Sequence, residues 1–237
     1  MVSEERLQCP LGGSRVRPNL KEEAATYLRD QILAGHLRPG DRIDQDRVAA
    51  ELGISRLPVR EALITLSGEG MIEMRPRRGA FVAQLTPDDL LDQYVIFGSL
   101  CGLAAARAAR ALTEAQFAEL DGLLARMDTA EEPEELERLN FRFHQIINKA
   151  GSSKLLARAI GTIAKGMPTH FYEFAEDWRE RARSEHKGIV KALRSGDADR
   201  AEVAVRAHLR SGGEQALTML QSNGFWDRLA GASEEDE

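Results

Sequence analysis

The stretch Leu52-Gly53-Ile54-Ser55-Arg56-Leu57-Pro58-Val59-Arg60-Glu61-Ala62-Leu63-Ile64-Thr65-Leu66 decides how this chain folds. Gly53 stands where a helix ends, because glycine takes the left-handed conformation of a helix C′ position without strain. Two residues of turn follow. Pro58 then opens a new helix, at a position where the amide hydrogen it lacks has no partner to lose. Val59, Ala62, Leu63 and Leu66 recur at helical spacing and form one buried stripe. Subtracting that stripe leaves Arg60, Glu61, Ile64 and Thr65 facing outward.

Working outward, Val48, Ala49 and Leu52 mark the helix before the turn, and Pro39-Gly40-Asp41 is a turn signal ahead of it. Leu20, Ala24, Tyr27, Leu28 and Ile32 predict a first helix, ended by Gly35. Downstream of Gly68 and Gly70 the period changes from helical to alternating. Met71 to Arg75 and Ala80 to Ala83 read as two short strands, joined by Pro76-Arg77-Arg78-Gly79 as a hairpin. Three helices and a basic hairpin is the order of a winged helix-turn-helix. Beyond Thr86 the pattern is helical throughout, in six segments broken near Leu112, Pro133, Gly151, Pro168 and Gly196. The expected fold is mainly α. A flexible tail covers 1–17, a winged helix-turn-helix 18–84, an all-helical bundle 85–224 and an acidic tail 225–237.

Composition narrows the function classes. Of 237 residues, 43% are hydrophobic and 30% charged, as expected for a chain that buries real cores. The longest apolar run, Val95 to Ala106, is about half of the roughly 20 residues a membrane helix needs. The opening Met1-Val2-Ser3-Glu4-Glu5 does not resemble a secretory signal. Cys9 and Cys101 form no close pair, so a reducing cytoplasm is the expected home. The net charge of −6 is unevenly spread. Residues 15–84 hold 12 Lys or Arg against 10 Asp or Glu, whereas residues 85–237 hold 19 against 26. A mildly basic front on an acidic rear suits a DNA-binding domain joined to one that does not touch DNA.

The outward residues carry the chemistry of DNA reading. Arg60 and Ile64 are one turn apart, so both can enter a major groove; Arg60 suits guanine and Ile64 a thymine methyl. Arg56 is placed for a phosphate or the first base edge. Arg77 and Arg78 beside Gly79 suit a minor groove or the neighbouring phosphates. Leu37 to Asp41, Leu52 to Arg56, Pro58 to Leu63, Glu69 to Ile72 and Arg78 to Val82 together resemble the GntR family of bacterial regulators. The resemblance implies a homodimer on a pseudo-palindromic operator, with Arg56 and Arg60 at the DNA and Gly79 at the wing tip. Leu57 stands where the family usually has a Thr or Ser that caps the helix, and Thr65 where an Arg is common.

Polar residues interrupt three apolar stripes in the rear. Asn140 and His144 adjoin Leu136, Leu139, Phe143, Ile146 and Ile147; His186 lies among Ala182, Ile189, Val190 and Leu193; His208 shares a face with Ala201, Ala204, Val205 and Leu209. A buried imidazole without a partner costs about 1–3 kcal/mol. A carbonyl or a water would satisfy any one of them; a shared divalent metal satisfies all, and nitrogen-rich ligation suits Zn or Ni. His36 and His170 show no such pattern and read as surface or loop residues. Asn140 to His144, Glu185-His186, Ala192-Leu193, Gly196-Asp197 and Ala207-His208 resemble the ligand-binding FCD domain of the FadR subgroup. That implies Asn140, His144, His186 and His208 as ligands of one metal per subunit. Asn140 replaces the commoner Asp, which leaves the site one charge more positive and favours an anionic effector. Phe97 and Cys101 stand where the family often has an Arg and the Glu of a Leu-Glu pair three residues after it, which makes the expected pocket wall more apolar; Cys101 reads as an inert buried thiol.

The expected function is a DNA-binding transcription regulator, controlled by a small organic acid held near a divalent metal. Two alternatives are a metal-dependent hydrolase and a metal sensor with no organic effector. Against the hydrolase, no carboxylate is placed as a general base: Glu185 adjoins His186, but helical neighbours point about 100° apart.

Overall fold

The computed structural model describes residues 19–167 and 176–226. The tail expected over 1–17, His170, the break near Pro168 and residues 227–237 lie outside them. The chain starts with α1 (Leu20–Leu33), then β1 (Arg42–Ile43), α2 (Gln45–Leu52), α3 (Arg56–Gly68) and a hairpin of β2 (Ile72–Arg75) and β3 (Gly79–Val82). Six helices follow: α4 (Pro87–Ala108), α5 (Glu114–Thr129), α6 (Pro133–Gly151), α7 (Lys154–Lys165), α8 (Glu176–Arg194) and α9 (Ala198–Ser222). This is the expected winged helix-turn-helix followed by a helical bundle. No described helix is long and apolar enough to cross a membrane.

Local signals place most boundaries. Gly53 ends α2 with φ 64°, in the left-handed region. Thr86 and Thr113 each form a reciprocal capping box, with Asp89 and Gln116, at the starts of α4 and α5. Two expectations need correction. The third helix starts at Arg56, two residues before Pro58, with Ser55 as its N-cap. Pro58 is accommodated because amides throughout the first turn lack intrahelical acceptors. Leu57 therefore sits inside that turn and not at the cap. The sheet also has a third strand: β1 pairs antiparallel with β3, Arg42 opposite Phe81, giving the order β1-β3-β2. Two residues are too few to produce an alternating pattern.

Two cores form. One fills the bundle, from Cys101 and Phe117 through Phe143 and Ile147 to Ile189, Leu193 and Val205. The other lies under α1–α3 and the wing, and it recruits Leu90 and Tyr94 from α4 and Ala216, Met219 and Leu220 from α9. Phe225, 1% exposed, completes it, and Trp226 donates from Nε1 to the Leu85 carbonyl at 2.6 Å. Packed chain thus runs two residues past the boundary expected at 224. Close helix approaches rest on glycine. A Cβ on Gly151 would stand 1.8 Å from the Ala104 carbonyl oxygen, so α6 meets α4 only through a missing side chain.

Candidate functional site

Two groups of side chains stand apart from these cores. The first is the outer face of α3 with the wing. Burial of Val59, Ala62, Leu63 and Leu66 turns Arg60 outward, with Ile64 58% exposed one turn later. Leu57, at 64%, extends the exposed apolar surface towards the helix start. Arg56 is exposed and forms an ion pair with Asp46 of α2. Thr65 turns its hydroxyl back onto the Glu61 carbonyl at 3.1 Å. The wing turn closes where Arg78 N–H donates to the Arg75 carbonyl at 3.1 Å. Arg77 has φ 60°, the one positive value outside glycine among the described residues. Such a conformation costs of order 1 kcal/mol or more, and it holds exposed Arg77 and Arg78 at the tip. Gly79 follows the tip as the first residue of β3, with φ 102°.

The second group lies inside the bundle. His144 on α6, His186 on α8 and His208 on α9 bring one ring nitrogen each to within 4.8 Å of the others. His144 Nε2 and His208 Nε2 are 3.2 Å apart, and ring centroids are 4.5–5.4 Å apart. His186 and His208 are 2% and 4% exposed. Burial, reinforced by the neighbouring imidazoles, holds His144 and His186 well below the usual histidine range. Both therefore stay neutral with lone pairs available.

Two buried polar atoms of the expected ligands have no hydrogen-bond partner: His186 Nε2 in the cluster, and Asn140 Oδ1 one turn before His144 on α6. Orphaned acceptors of this kind are rare in folded proteins, since each carries a desolvation cost of about 1–3 kcal/mol. The three imidazoles form a nitrogen donor set of the kind that fits a divalent transition metal.

The surroundings differ from expectation in two places. Glu185, set aside on periodicity, reaches His208: its Oε2 lies 2.7 Å from His208 Nδ1. A small cavity beside His186 is lined by Met127, Leu136, Ala182, Arg179 and Arg183. Arg183 donates to the Met127 carbonyl at 3.3 Å, and Arg179 to that of Glu131 at 3.5 Å. Neither arginine was singled out from the sequence, although Arg179, Arg183 and His186 share one face of α8 by spacing alone. Cys101 is buried in the bundle core, accepts a 3.5 Å hydrogen bond from the Asn148 amide, and has its thiol pushed up to about 12 by burial. Phe97 is partly buried and packs against both cores.

Comparison with known proteins agrees with this division. Residues 20–82 match the profile described as bacterial regulatory proteins, gntR family, and residues 94–211 match the FCD domain. An HTH-type transcriptional regulator in an unstable DNA locus of Streptomyces ambofaciens is 31% identical over 194 residues, 78% of this chain and 79% of that one. The HTH-type transcriptional repressor RspR of Escherichia coli K12 is 28% identical over 212 residues, 87% of this chain and 93% of that one. Among solved structures, E. coli McbR/YncC superposes with a TM-score of 0.66 at 25% identity, over 85% of this chain and 98% of that one.

Proposed function

The chain belongs to the GntR family of bacterial regulatory proteins and carries an FCD domain behind its DNA-binding head, and on that footing we propose that a divalent metal and a small organic acid in the bundle set its affinity for operator DNA. It is a transcription regulator and not an enzyme, which removes the hydrolase alternative. The observation that carries the proposal is the buried cluster of His144, His186 and His208 with Asn140 Oδ1 and His186 Nε2 unpartnered.

In this reading Asn140, His144, His186 and His208 hold one Zn or Ni ion per subunit. A bound metal supplies positive charge and open coordination positions, which attract a carboxylate. The wall nearby is apolar at Met127 and Leu136 and cationic at Arg179 and Arg183, which suits a partly apolar acid. In the head, Arg56, Arg60 and Ile64 address the major groove, and Arg77, Arg78 and Gly79 form the wing contact. Two heads in a homodimer read the two half-sites of the operator.

The test is native mass spectrometry and elemental analysis of the purified chain, with operator binding followed by fluorescence anisotropy as metal and then a series of small carboxylates are added. The expected result is about one transition metal per subunit, lost in His186→Ala, and a carboxylate that changes operator affinity only in the metal-loaded chain. Affinity that responds to metal alone supports the pure metal sensor. A His186→Ala variant with full metal content overturns the site.

A further inference from the structure

Glu185 and His186 are neighbours on α8, and one residue of helix turns the side chain by about 100°. His186 faces inward, with its ring centroid 4.6 Å from that of Phe143 and 4.5 Å from that of His208. Glu185 instead spans the contact between α8 and α9, where its Oε2 meets His208 Nδ1 at 2.7 Å. The imidazole is 5% exposed and the carboxylate 26%, so the contact lies at the edge of the buried site, with the carboxylate still reached by water. A carboxylate has no proton to give, so a contact this short requires His208 to carry its proton on Nδ1. In the neutral ring the other nitrogen, Nε2, then presents its lone pair to the cluster, 3.2 Å from His144 Nε2.

We propose that Glu185 is a positioning residue of the metal site: it holds His208 in the Nδ1–H tautomer, fixes the ring plane, and strengthens Nε2 as a donor. This rests on reading the histidine cluster as a metal site. The charge balance gives Glu185 further weight. Asn140 and three imidazoles bring no negative charge to a divalent cation. Glu185, one hydrogen bond away through His208, is a carboxylate in direct contact with the triad. It supplies from the second layer part of the charge that a ligating Asp at position 140 would supply directly. Outer carboxylates that accept from a ligating histidine orient the ring and raise its basicity in this way, and their loss typically weakens metal binding by about 10- to 100-fold.

The test uses the full chain with Glu185→Gln and Glu185→Ala, and two readouts. The first is the imidazole 15N spectrum of the metal-free protein, with His208 assigned by substitution. The second is zinc affinity by competition with a chromophoric chelator. The wild type is expected to show the Nδ1–H tautomer at His208. Glu185→Gln keeps an accepting oxygen, so it retains that tautomer while binding zinc about tenfold more weakly. Glu185→Ala loses the tautomer preference and binds about 100-fold more weakly. An effect on packing alone would lower stability in both variants without separating them in this order. A His208 Nε2–H tautomer in the wild type, or wild-type zinc affinity in Glu185→Ala, overturns the proposal and leaves the metal site standing. A wild-type chain that takes up no zinc overturns the metal reading and this proposal with it.

Discussion

Arg60 and His186 mark the two extremes of what one side chain does in this protein. Arg60 is exposed on a helix whose other face is fully buried, so its removal disturbs no packing. Arg60→Ala is therefore expected to leave the thermal unfolding midpoint unchanged and to cost about 1–3 kcal/mol of discrimination at one base position of the operator, read by anisotropy on matched and mismatched duplexes. Unchanged discrimination would remove α3 as the reading helix. His186 is 2% exposed and its Nε2 has no partner. Asn140 was legible as unusual because an amide beside an apolar stripe breaks a periodic pattern. Glu185 was not, because it lies off the stripe and periodicity assigns it to solvent. Its partner on α9 is 23 residues away, at a distance that helical spacing does not address.

At the level of elements, the helices are set by caps and stripes, but their mutual approach is set by small residues. Gly151 and Gly188 separate the two effects. A Cβ on Gly151 would stand 1.8 Å from the Ala104 carbonyl oxygen, whereas one on Gly188 meets nothing within 4 Å. Gly151→Ala is expected to destabilise the chain by about 3 kcal/mol through overpacking of α6 on α4. Gly188→Ala, exposed within α8, is expected to stabilise it by about 0.5–1 kcal/mol through helix propensity. Chemical denaturation of both variants measures the pair, and equal effects of the same sign would contradict the packing described. The start of α3 belongs to this scale as well. Ser55 occupies the N-cap but its side chain makes no capping hydrogen bond, so that end is held by the tertiary contacts of Val59 and Leu63.

Over the whole molecule, the two cores do not divide where the sequence pattern changes. Leu90, Tyr94, Met219, Leu220 and Phe225 belong to the core beneath the DNA-reading head. α9 therefore carries His208 in the bundle and, fourteen residues on, ends at Ser222 beside that head, where Trp226 just beyond it donates to the Leu85 carbonyl. A continuous helix of this kind is a physical link between the histidine site and α3. Trp226→Phe keeps the ring and removes the donor. It is expected to leave zinc affinity unchanged while the zinc-dependent shift in operator affinity, about 1–3 kcal/mol for a coupled pair of sites, falls towards zero. A shift of wild-type size in this variant would place the coupling elsewhere.

The sequence by itself determined the order and type of nearly every element, the outward face of α3, and which histidines turn inward. These follow from the 3.6-residue and two-residue periods, from caps, and from breakers such as Gly53, all of which act within a few residues. Only the tertiary structure decided that β1 joins the sheet, that Glu185 holds His208, that Arg179 and Arg183 flank His186, and that Phe225 closes the core under the head. Each of these depends on how helices cross and how closely they approach, which is set by the summed packing of side chains far apart in the chain.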